Sequence, residues 1–211
     1  MNYASPSSNV IPPASFTSQG FPCNLMVRAG CNSSPMIQNC FPGTGTVINC
    51  PCGQPANPNG GCANFGATAT SGAKLNASGN PSLAADTLIL TTTNHRTAPA
   101  AGILNVFFAS TGTSSPNGVA NGAGVRCYNQ TLKRLYTGQT SPPASGSLSK
   151  PGMGDPSVSA RSAALSSPIS AGQTRHYFNL YRDQSATAPA NCNNTTSNVN
   201  VTNAGSVLWG P

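Results

Sequence analysis

The sequence predicts an all-β protein, an antiparallel β-sandwich with a small, loop-rich, disulfide-stapled module on its N-terminal side. Three observations predict it. After residue 66 the apolar residues come in short runs rich in β-branched and aromatic side chains, separated by turn residues, which is the pattern of sandwich strands. Six of the eight cysteines fall between residues 21 and 66 among Gly, Pro and Asn, where burial alone cannot hold a shape and cross-links can. Helical periodicity is confined to one faint stretch, Val158 to Ala164.

The elements follow in order. Residues 1–20 form an extended arm, because Pro12-Pro13 forbids helix and the only apolar patch is Val10-Ile11 with Phe16 beyond. Such an arm either frays as a terminus or, through residues 1–18, adds as a strand to a neighbouring subunit. Residues 21–66 form the cysteine module. Cys23 and Cys31 flank a loop suited to a local bond, and Cys40, Cys50, Cys52 and Cys62 follow among turn signals. Cys50 and Cys52 are too close to pair with each other, so each is expected to reach Cys40 or Cys62.

Residues 67–211 form the sandwich domain. Asp86 to Thr93 is one strand, and Ile103 to Ala109 is a second, apolar enough to be central. Val125 to Tyr128 and Thr131 to Tyr136 are expected to fold as a hairpin. His176 to Arg182 alternates, with His176, Phe178 and Leu180 on one face and Tyr177, Asn179 and Tyr181 on the other. Asn198 to Thr202 and Ser206 to Trp209 are expected to close as a last hairpin. Cys127 and Cys192, both beside strands, are expected to pair. A bond over so long a loop contributes on the order of 4 kcal/mol in the chain-entropy model.

Charge narrows the function classes. Glu is absent and Asp occurs three times, against ten Lys and Arg, so the net charge is +7 while only 6% of residues are charged. The cations are scattered, with loose groupings at Arg126, Lys133 and Arg134 and at Arg175 and Arg182. A nucleic-acid footprint is denser than this, so no nucleic-acid partner is expected. No run approaches the ~20 apolar residues of a membrane helix. Met1 to Val10 has neither a charged start nor a hydrophobic core, so it does not read as a signal peptide.

Catalytic constellations are missing from the pattern. Asp86, Asp155 and Asp183 lie about 30 or more residues apart and each suits a turn or strand end, Asp183 beside Arg182 or Arg175. No G-x-S-x-G elbow occurs, and an even cysteine count leaves no thiolate obviously free. His95 is expected to be a solvated loop residue and His176 a core or rim residue. Cys50-Pro-Cys52 lacks zinc-knuckle spacing, and three carboxylates are too few for calcium, so neither a metal nor a cofactor is expected. Sequons stand at Asn32, Asn76, Asn129, Asn193, Asn194 and Asn200. The side chains that could bind a ligand are Tyr177, Tyr181, Trp209 and Arg175, with Tyr128 and Tyr136 nearby. Flat rings stack on sugars, although ordinary core packing explains the same rings.

Several motifs recur in a fixed order. They are Cys40-Phe-Pro-Gly-Thr-Gly-Thr, Cys50-Pro-Cys-Gly, Gly61-Cys-Ala-Asn and the run from Leu75 to Leu90. Gly124-Val-Arg-Cys, the run from Ser170 to Asp183 and a closing Val-Leu-Trp-Gly-Pro complete the order. Over residues 40 to 211 this pattern resembles the C-terminal region of a family of secreted, Cys-containing proteins of environmental bacteria, mostly uncharacterised. The resemblance implies a secreted β module and supplies no catalytic residues. The expectation is an extracellular or cell-surface, non-catalytic structural subunit that self-associates into a surface layer, adhesive or filament. The alternative is a carbohydrate-binding module of a secreted system, with polysaccharide as its partner.

Overall fold

A computed structural model describes residues 34–64, 72–95, 102–140, 146–183 and 199–211. The arm at 1–20, Cys23, Cys31, Cys192 and the sequons at Asn32, Asn193 and Asn194 lie outside the described residues.

Alternation of buried and exposed side chains builds the strands. They are β1 (Met36–Asn39), β2 (Lys74–Ser78), β3 (Ile89–Thr93), β4 (Leu104–Ser110), β5 (Val119–Asn121), β6 (Gly124–Arg126) and β7 (Lys133–Gln139). After them come β8 (Leu148–Lys150), helix α1 (Val158–Ala164), β9 (Thr174–Arg182), β10 (Val199–Val201) and β11 (Ala204–Leu208). The main sheet runs β1-β11-β9-β4-β7, with β10 also on β9; a second sheet runs β2-β3-β8, and β5-β6 is a separate hairpin. Every pairing between these strands is antiparallel.

The two larger sheets form the sandwich. Leu75, Ala77 and Leu90 from the small sheet share one core with Phe107, Ala109, Tyr177 and Val207 from the main sheet and with Trp209, just past the end of β11. Helix α1 adds Val158 to that core. Its first turn is held by Asp86, whose Oδ2 accepts from Ser159 N at 2.7 Å. The opposite face of the main sheet is covered by loops. There Phe178, Val201 and Ala204 pack with Cys40, Cys127, Phe108, Tyr128 and Val47.

Strand β9 alternates as the sequence predicts, and β4 is central between β9 and β7. Both expected hairpins are corrected. Val125 pairs with Ala120 of β5, while β7 pairs with β4 instead of with β6. The chain at Gln130 docks on the end of β4, where its carbonyl accepts from Thr111 N at 3.1 Å and Ser110 Oγ at 2.6 Å.

The last two strands do not face each other but follow one another along β9. Val201 lies opposite Leu180 and Gly205 opposite Tyr177. Three residues of one strand therefore span two of the other, which is a β-bulge. Asn179 and Thr202 hold it, with Thr202 N donating to Asn179 O and Asn179 N donating to Thr202 Oγ1, both at 3.0 Å. Gly205 is needed beside this bulge, because a Cβ there would meet Met36 Sδ at 2.1 Å.

The cysteine pairing is also corrected. Cys40 bonds to Cys127 across 87 residues of sequence, so Cys127 does not await Cys192. Cys50 bonds to Cys62, one of the two partners the spacing allowed it. The physical reason is that β1, which ends at Asn39, is an edge strand of the main sheet, so Cys40 emerges beside that sheet rather than within a separate module. The expected division at 66/67 gives way, over the described residues, to one compact unit from Ser34 to Pro211.

Candidate functional site

The four side chains expected to bind a ligand are interior. Tyr177 and Tyr181 have 0% exposure, Trp209 1% and Arg175 4%. Tyr177 and Tyr181 do project from the same face of β9, but that face is the one buried in the sandwich. Trp209 Nε1 donates to Tyr177 Oη at 3.0 Å, and burial pushes the Tyr177 phenol well above its usual range. Arg175 donates to the carbonyls of Ser167 and Pro168, at 3.3 and 2.6 Å. Tyr136 is interior too, and Tyr128 stacks on His176 with ring centroids 4.0 Å apart. The expected aromatic sugar platform therefore gives way to core packing.

One end of the sandwich holds a buried polar layer that the sequence reading missed. His95, expected in solvent, is only 7% exposed. Its Nδ1 lies 2.7 Å from Gly146 O, and its ring meets the Tyr181 ring edge-on at 4.7 Å. Burial lowers the His95 pKa, and hydrogen bonds to Gly146 and to the Asn105 side chain oppose that shift. Tyr181 Oη donates to Asn64 Oδ1 at 2.5 Å. Asn200 Nδ2 donates to the carbonyls of Cys62 and Ala63 and to Asp183 Oδ2, at 3.1 to 3.2 Å. Asp183 is thus held by Asn200, while Arg175 is engaged by Ser167 and Pro168. Asn200 is fully buried, so that sequon is closed to glycosylation in the folded chain. The signal for this layer was the density of Asn between residues 179 and 203.

The features that bear on association are the edges of the main sheet. An edge strand presents unpaired N–H and C=O groups to any chain that can add to it. Strand β7, one edge, is guarded. Its pairing with β4 shifts between Phe107 and Phe108, leaving Leu135 as an extra, bulged residue. Leu135 and the next residue, Tyr136, are consequently both buried in the sandwich core. Arg161 of α1 donates its Nε to Leu135 O at 2.8 Å, and Lys133 and Arg134 add charge. Bulges, charges and covering side chains are the devices that blunt an edge.

Strand β1, the other edge, carries no charged residue, only Met36, Ile37, Gln38 and Asn39. Met36 faces the core, whereas Ile37 is 76% exposed. Ile37 pairs with Ser206, and Leu208, two residues further along β11, is 64% exposed. These two make a small apolar step on an uncharged edge. The neighbouring edge of the small sheet is closed instead. Asn203 Oδ1 accepts from Leu75 N at 2.8 Å, and its Nδ2 donates to Leu75 O at 3.4 Å. One carboxamide thus occupies the peptide group that an added strand would need.

Among the described residues no cluster of His, Cys, Asp and Glu could hold a metal ion, and no helix is long and apolar enough to cross a membrane. Comparison with family models, curated proteins and solved structures gives no match for this chain.

Proposed function

We propose that this chain is an extracellular, non-catalytic structural subunit that self-assembles by strand addition. The β1 edge, without charge or bulge and with Ile37 and Leu208 exposed beside it, carries this reading. Strand addition gains main-chain hydrogen bonds along the edge and specificity from alternate side chains. The donor is the N-terminal arm, residues 1–18, whose Val10-Ile11 and Phe16 supply apolar side chains for a neighbour's edge. The disulfides Cys40–Cys127 and Cys50–Cys62 support an oxidising compartment. The low charge weakens repulsion between copies, and the resemblance to secreted proteins points the same way.

Deleting residues 1–18 is the test. Loss of assembly, measured by light-scattering mass on a folded deletion variant, is the expected result. Assembly of unchanged size and order without the arm contradicts it. The carbohydrate-binding alternative, in its form as an aromatic sugar platform, is less well supported, because Tyr177, Tyr181 and Trp209 are buried.

A further inference from the structure

A polar cleft of about 210 Å³ lies between β7 and α1, lined by Leu135, Tyr136, Thr137, Asp155, Pro156 and Arg161. It is smaller than the ~300–1,000 Å³ pockets of drug-sized ligands, so it suits a single small ring. Arg161 is fixed there by its Nε bond to Leu135 O, and its two terminal nitrogens make no hydrogen bond among the described residues. Tyr136 Oη is committed to Pro156 O at 2.8 Å, and Asp86 spends both oxygens on Leu88 N and Ser159 N. Asp155 spends Oδ2 on Lys150 Nζ and Gly152 N, each at 2.8 Å, while Oδ1 takes no hydrogen bond among the described residues. Hydrogen bonds from Lys150 and Gly152 keep the Asp155 carboxyl below its usual pKa and therefore ionised. Thr137 is exposed at the rim of the cleft.

The cleft thus offers a two-pronged cationic donor, a carboxylate acceptor and a hydroxyl. A phosphate would fill Arg161 but meet Asp155 with like charge. A neutral sugar would satisfy Asp155 but give the guanidinium only single, uncharged hydroxyl acceptors in place of a paired, charge-assisted one. A ring bearing both a carboxylate and hydroxyls matches every group. We propose that this cleft binds the uronate unit of an acidic polysaccharide, with the sugar carboxylate on Arg161 and ring hydroxyls on Asp155 and Thr137. Arginine suits the carboxylate through its planar fork, and the chain's +7 charge draws such a polyanion. The site lies on the guarded β7 edge, so it does not depend on assembly through β1.

The test is an NMR titration of the full chain with digalacturonate, with neutral digalactose and a tetrapeptide bearing a free C-terminal carboxylate run alongside. Saturable shifts at the Thr137, Asp155 and Arg161 amides with digalacturonate alone are expected. Arg161→Lys, its fold checked by the same spectra, should weaken binding about tenfold or more. If that variant does not fold, Thr137→Val takes its place and should weaken binding measurably. Absence of saturable shifts, equal binding of digalactose, preference for the peptide, or unchanged affinity in the folded variant would each overturn the assignment.

Discussion

The two edges of the main sheet solve the same problem in opposite ways. At β7 a bulge at Leu135 twists the strand, Arg161 occupies an outward carbonyl, and Lys133 and Arg134 bring charge. At β1 the described residues supply neither bulge nor charge, only Ser34 Oγ accepting from Met36 N and Asn39 Nδ2 donating to Ile37 O, and the exposed side chain is Ile37. Strand β1 is held by its pairing with β11, by Gln38 Nε2 donating to Asn76 Oδ1 at 2.7 Å, and covalently by Cys40, which follows its last residue and is tied to Cys127 on the loop layer. Away from both edges, a buried His95 reaches Gly146 and borders Asn105 of β4. An edge without charge or bulge but firmly anchored is suited to receive a strand, and an edge that is blunted is suited to refuse one.

The largest expected effect comes from cutting the anchor. Replacing Cys40 and Cys127 together by Ala should cost about 4.6 kcal/mol in denaturant unfolding, since the bond spans 87 residues. Replacing Cys50 and Cys62, only 12 residues apart, should cost less, about 3 kcal/mol. Equal losses would mean that loop closure is not the source of the stabilisation. Next in size is Asn203→Ala, which strips both partners from the buried Leu75 peptide and should cost about 1–3 kcal/mol. Hydrogen exchange at the Leu75 amide should rise with it, and unchanged protection would contradict the stitch between sheets.

A pH scan probes the interior between the two edges more gently. Burial lowers the folded pKa of His95 and, to a lesser burial, of His176, whereas an unfolded His titrates near ~6.5. The unfolded chain therefore binds more protons, and stability that is complete above ~6.5 is lost as pH falls through that value toward the folded pKa. The Tm should drop between pH 7 and pH 5, and His95→Gln should flatten much of that slope. A scan that stays flat in the wild type would remove the buried-imidazole account. The smallest expected change in stability is at Ile37→Lys, within about 0.5 kcal/mol because the side chain is exposed, and yet assembly through β1 should fail.

Local pattern made much of the fold legible. Val158 to Ala164 is the helix, and β3, β4 and β9 lie where β-branched and aromatic runs predicted them. Pairing was less legible, because turn signals suggest that consecutive strands fold back on each other. Here β7 instead reaches back to β4, and β10 and β11 share one partner. The adjacent Leu135 and Tyr136 were the one local sign of a bulge, since two successive inward residues break a period of two. Cys127 found Cys40 because the sheet brings them together, a fact that spacing along the chain cannot carry. The candidate site was least legible: the tyrosines that alternate on β9 were placed on one face correctly, but which face meets solvent depends on the second sheet.

Self-assembly is best tested by negative-stain microscopy with light-scattering mass on the unreduced full chain, beside Ile37→Lys. Ordered multimers for the wild type and a folded monomer for the variant are the predicted outcome. A clean wild-type monomer across the concentration range, or ordered assemblies that survive in the variant, would contradict addition at the β1 edge.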